Sequence, residues 1–176
     1  MSKKFVICFL SLSCALYAQS DSRVKIGAGL GAAFANTGVG AEYEMDQMAV
    51  LAGVGTFAGD GADWEIGGRY YFRSVDKKIR PHATVSYGAV EVMKYGFAPN
   101  LDHKVVIYGV SILAGLDHDF GKKDGFVMSY GLGLGIPGPV PQKVRDFYHT
   151  YGPSQTIPKS EIVPTLSLGI KYQFAM

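Results

Sequence analysis

At 176 residues the chain has the length of one ordinary domain. Charged residues are 18% of it and glycines number 23, fewer charges and more glycine than a typical soluble domain carries. No run of eighteen apolar residues occurs beyond the N-terminus, which excludes a helical membrane span and leaves a β-rich chain.

Residues 1–18 read as a secretory signal peptide, and 19–176 as the mature domain. Lys3 and Lys4 form a basic start, Phe5 to Leu12 an apolar core, and Ala15-Leu16-Tyr17-Ala18 a cleavage site. Both cysteines, Cys8 and Cys14, fall inside this segment, so the mature domain has no disulfide and no thiolate metal site. Losing Lys3 and Lys4 takes seventeen basic side chains to fifteen, against fifteen acidic ones. That balance argues against a nucleic-acid partner, which needs a basic patch.

Arg23 to Ala35 alternates, with Val24, Ile26, Ala28, Leu30, Ala32 and Phe34 on an apolar face. Successive side chains of a strand point to opposite sides, so a period of two marks a strand with one apolar and one polar face. Asn36-Thr37-Gly38 reads as a turn, Val39 to Met45 as the second strand and Asp46-Gln47 as the next turn. Met48 to Phe57 and Trp64 to Arg73 follow as the third and fourth strands, then Ile79 to about Val92 as the fifth. A loop from Met93 to His103 leads to the sixth, Lys104 to Phe120, and a short turn to the seventh, Gly125 to Ile136. The longest loop, Pro137 to Lys159, precedes the eighth, Glu161 to Phe174. There Ile162, Pro164, Leu166, Leu168, Ile170, Tyr172 and Phe174 are apolar at every second position, a stretch long enough to cross a bilayer at a tilt.

Eight such strands predict an all-β, antiparallel, up-and-down barrel, because closure removes exposed edges. Links after the second, fourth and sixth strands are short, and those after the fifth and seventh are long, the asymmetry of outer-membrane barrels. The polar face is mainly Gly, Ser, Thr and Ala at mid-strand. Glycine offers little to water but leaves room inside a narrow barrel, so the apolar face is assigned to lipid and the small-residue face to the lumen. Aromatics fall near both strand ends, as two interfacial girdles. The alternative is a secreted soluble barrel that binds a ligand, with the faces exchanged.

Gly67-Gly68-Arg69-Tyr70-Tyr71-Phe72, Ile79-Arg80-Pro81 and Gly169-Ile170-Lys171-Tyr172-Gln173-Phe174 resemble the small bacterial outer-membrane β-barrels of the porin-like or opacity-protein type. The resemblance implies an eight-stranded transmembrane β-barrel in the outer membrane of a Gram-negative bacterium. It also implies lipid and the barrel-assembly machinery as partners. Its insertion signal falls on Leu166, Leu168, Ile170, Tyr172 and Phe174; here Ala175 and Met176 follow the usual terminal aromatic.

Parity places a set of charges in the lumen: Arg23, Lys25, Glu42, Glu44, Glu65, Arg69, Arg73, Arg80, Asp117, Asp119 and Lys171. Buried charges need partners, so the expectation is a mutually satisfied plug and no large pore. His82, His103, His118 and His149 have no metal-ligand spacing, and neither a metal nor a cofactor is expected. His82-Ala83-Thr84 resembles the His-x-Ser of outer-membrane lipid A deacylases without its serine, so a lipid-modifying enzyme is a second alternative to the expected non-enzymatic barrel. Lys143, Arg145, Phe147, Tyr148, His149 and Tyr151 combine basic and aromatic groups in the longest loop. They are the candidate surface for an extracellular ligand, since Arg and aromatics are enriched where partners bind.

Overall fold

The computed structural model describes residues 22–56, 61–74, 77–95, 103–121, 124–151 and 159–175. The expected signal peptide and its boundary at residue 18 lie outside them, as does Phe57 at the expected end of the third strand.

The strands are β1 (Ser22–Gly31), β2 (Asn36–Met45), β3 (Met48–Thr56), β4 (Ala62–Tyr71), β5 (Ile79–Tyr95), β6 (His103–Asp119), β7 (Gly125–Pro137) and β8 (Val163–Ala175). Each pairs antiparallel with the next, and β8 returns to β1 from Arg23↔Ala175 to Gly31↔Ser167, which closes the barrel. The period-two pattern decides the faces. Leu132 is 69% exposed on the outside while Lys25 is 1% exposed on the inside. Ile26, Leu30, Val54, Ile66, Leu166 and Ile170 share the outer face with Leu132.

Aromatics gather outside at both ends. Trp64 lies 5.9 Å from Tyr87 and 5.8 Å from Tyr108 at the long-loop end. At the short-turn end Phe126 meets Tyr172 at 5.3 Å, and Tyr172 meets Phe174 at 4.8 Å.

The chain departs most from the expected elements in three places. The first strand stops at Gly31, and the turn is Ala32–Ala35, not Asn36-Thr37-Gly38; Asn36 already pairs with Gly31 as the start of β2. Gly31 takes φ +82°, a left-handed conformation that glycine adopts without cost and that bends the chain into the bore. Ala32 and Phe34, expected on the outer face, are therefore buried inside. Second, β5 runs on to Tyr95 and β6 begins at His103, so Met93, Lys94, Tyr95 and His103 of the expected loop are strand. β5 pairs with β4 only as far as Gly88, and β6 with β7 only as far as Gly109, so the remainder projects beyond the barrel as a two-stranded ribbon with a register shift between Ala89 and Glu91. Third, the long loop holds a helix, α1 (Gln142–Tyr151). β8 starts at Val163 and β4 ends at Tyr71, which leaves Glu161 and Arg73 outside the sheet.

Candidate functional site

At the short-turn end the inward-facing positions bring long charged side chains to one point. Lys25 Nζ donates to Glu42 at 3.2 Å and Asp117 at 3.1 Å, and lies 2.7 Å from Glu44. Arg69 reaches Glu42 at 2.9 Å and Asp117 at 3.4 Å, and its Nε donates to Thr84 Oγ1 at 2.9 Å. Lys171 pairs with Glu42 at 2.7 Å and Arg80 with Glu44 at 2.6 Å. Four cations thus share three carboxylates. Each ion costs several kcal/mol to desolvate in a protein interior, and only such multiple pairing offsets that cost.

Tyr71 lies fully buried at the centre. The Arg80 guanidinium stands 3.8 Å from its ring centroid and Lys25 Nζ 4.6 Å, so the ring face stabilises two of the cations. Its hydroxyl accepts from Lys25 at 2.7 Å and bonds to Glu42 and Asp117. Ser129 Oγ donates to Asp117 at 2.7 Å. At the rim, Asp119 accepts from Gln173 Nε2 at 2.6 Å and lies 3.6 Å from Arg23.

Nine of the eleven charges expected in the lumen meet here. Arg73 is exposed just past the end of β4, its carbonyl accepting from Arg80 Nε at 3.4 Å. Glu65 is buried but lies apart, beside Ser86 and the backbone of Ala33 and Ala35. Tyr71 belongs to the site and was not singled out as a site residue, although its parity with Arg69 already placed it on the inner face. His82 is buried with Nδ1 3.2 Å from Thr84 Oγ1 and Nε2 3.4 Å from Asp117, enclosed within the packing.

The long-loop end of the bore is filled differently. Ala32–Ala35 fold inward, and Phe34 is 1% exposed, packed with Ala33 and Leu51. Its ring occupies the space that a Cβ on Gly169 would need, and a Cβ on Gly29 would meet the ring at 2.7 Å. The turn's backbone lies against Gly38, Gly40, Gly53 and Gly55. Phe34 N–H donates to the Gly31 carbonyl at 3.1 Å, and Ser167 Oγ donates to the Ala32 carbonyl. Asn36 Nδ2 donates to Asp63 at 2.9 Å and to the Ala89 carbonyl at 3.3 Å. Ala33, Ala35 and Asn36 all have positive φ, so packing holds a backbone that the residues alone disfavour. Among the described residues, a hollow beside His82, Leu113 and Ser129 has no volume a water could enter, and one beside Phe34, Leu51 and Lys171 has about 10 Å³.

Above the mouth, α1 packs Val144 and Tyr148 onto Met93, Val105 and Ile107 of the ribbon. Of the loop residues expected at a recognition surface, Tyr148 is therefore buried, and Phe147 is half-buried against Tyr95 at 5.3 Å and His103 at 5.8 Å. Lys143, Arg145, His149 and Tyr151 remain exposed. Leu166, Leu168, Ile170, Tyr172 and Phe174 of the expected insertion signal all face outward on β8. Among the described residues no three of His, Cys, Asp and Glu are grouped to hold a metal ion.

No family model matches the chain, and no curated protein sequence matches it. Among solved structures it is similar to the N-terminal β-barrel domain of Pseudomonas aeruginosa OprF, with a TM-score of 0.54 and 14% identity over 89% of this chain and 98% of that domain. The likeness is one of fold, the closed eight-stranded barrel that the resemblance to small outer-membrane barrels implied.

Proposed function

We propose that the chain is an exported outer-membrane β-barrel of a Gram-negative bacterium. Its role is structural and surface-interacting, and its bore conducts no large solute. The observation that carries the reading is the inverted distribution of side chains: a continuous apolar belt outside, and inside a charge-packed half and a backbone-packed half. A surface of this kind is stable against hydrocarbon and unstable in water, where contiguous apolar patches beyond a few hundred Å² are rare on monomers. The shared fold with an OprF domain supports it. Its partners are outer-membrane lipid, the assembly machinery during insertion, and a ligand outside the cell at the exposed side of α1. In this reading His82 is a packing residue and not a catalytic one, buried with Thr84 and Asp117 beside its ring nitrogens.

Two measurements test the reading. Fractionation of cells should recover the protein with outer membranes and only in detergent; recovery in a soluble fraction would overturn the membrane assignment. In planar bilayers the purified protein should give no stable conductance, and large reproducible channels would remove the closed-bore reading.

A further inference from the structure

An open recess of about 530 Å³ lies between the start of α1 and the ends of β7 and β8. Among the described residues Pro137, Gly138, Pro139, Val140, Arg145, Lys159 and Ser160 line it, so its charged lining side chains are two cations; the exposed Glu161 follows Ser160 in the chain. Arg145 Nε donates to the Val140 carbonyl at 3.1 Å, a hydrogen bond between two of the lining residues. Ile136, next to Pro137 in the chain, and Ile162, two positions after Ser160, are both exposed. Below them Leu134 pairs with Pro164, and Leu132 with Leu166, an entirely aliphatic stripe. The corresponding ends of β4, β5 and β6 carry Trp64, Tyr87 and Tyr108 instead.

We propose that this recess seats a phosphate group of a glycolipid in the outer leaflet, with its acyl chains along the stripe on β7 and β8. The inference rests on the outer-membrane reading above and names a lipid ligand for one side of that loop. A cationic hollow above an aliphatic face has the shape and charge order of an anionic amphiphile. Guanidinium and ammonium groups give charge-assisted hydrogen bonds to phosphate, Arg through a planar fork and Lys as a point charge. A free phosphate would use only the hollow; a lipid uses both parts.

Native mass spectrometry of the mature protein in detergent, with added bisphosphorylated lipid A, tests this. One lipid A should remain bound, and enzymatic removal of its phosphates should weaken retention about tenfold, as the loss of one charged hydrogen bond implies. The double variant Arg145→Gln with Lys159→Gln should lose a similar factor, Arg145→Lys should keep most of the binding, and Lys94→Gln on the ribbon should match the parent. Inorganic phosphate should not displace the lipid. Equal retention by parent and double variant, equal retention of dephosphorylated lipid A, or displacement by inorganic phosphate would each overturn the proposal. Heat-modifiable migration of each variant on unboiled gels reports that the barrel is folded. A protein that inserts as a barrel but holds no lipid A defeats this inference alone, whereas one found in the soluble fraction defeats the membrane reading.

Discussion

At the short-turn end, the bore is crossed by long ionic side chains whose heads meet around Tyr71; at the long-loop end, the strands present glycine and the main chain itself comes inward, led by Phe34. Both solutions fill the same narrow cylinder. They differ in what holds them together. The ionic half depends on every partner being present, because an isolated ion in that interior is costly. The glycine half depends on shape, because Phe34 and the bare backbone of β1, β2, β3 and β8 fit only each other.

The largest effect should come from unbalancing the ionic half. Asp117→Asn keeps the side chain's size and leaves four cations facing two carboxylates. Unfolding in urea from lipid vesicles, followed by the emission of the single tryptophan, Trp64, should show a loss of about 3–5 kcal/mol. A loss below about 1 kcal/mol would mean that the network is solvated and not mutually dependent, as at a protein surface.

Phe34→Ala should cost about 3 kcal/mol in the same assay, since it empties a closed space in the other half. The distinction between the halves sharpens with Gly169→Ala, which should cost about 1–3 kcal/mol by overpacking. In the Phe34→Ala background most of that cost should go, because the ring is gone and only the Ala28 carbonyl oxygen, at 3.0 Å, still crowds the new methyl. Additive losses would show that Gly169 is constrained by something other than Phe34. Neither substitution should alter the cost of Asp117→Asn.

The smallest effect is expected from Tyr71→Phe. It removes a hydroxyl from among Lys25, Glu42 and Asp117 but keeps the ring against Arg80, for a loss of about 1–2 kcal/mol. A loss equal to that of Asp117→Asn would make the hydroxyl, and not the ion pairing, the centre of the site.

The faces of the strands were legible in the sequence because parity is a local property: Arg69, Asp117 and Lys171 each follow from counting by two. The depth of the first turn was not. Ala32 and Phe34 continue the apolar alternation of β1, and alternation does not reveal that the chain has turned at Gly31 into an interior that also accepts apolar groups. A signal was present in Gly27, Gly29, Gly38, Gly40, Gly53, Gly55 and Gly169, which strip one side of the bore of side chains and so require another filling. The α1 helix was similarly recoverable, since Val144, Phe147, Tyr148 and Tyr151 recur at helical spacing. Which charges meet could not be read from parity alone, because Glu65 and Glu42 share a face and differ only in height.

The seam between β1 and β8 sets how the molecule must fold. Arg23 and Gln173 are 150 positions apart and share a hydrogen bond of 3.5 Å across it. Contacts of such high order are slow to form, since the loop-closure entropy comes before the reward. Until they form, β1 and β8 are both open edges, able to pair with another chain. The hairpins between them can assemble from neighbours, but no intermediate short of closure hides its last two strands. Kinetic partitioning between barrel closure and aggregation is therefore decided at this one joint.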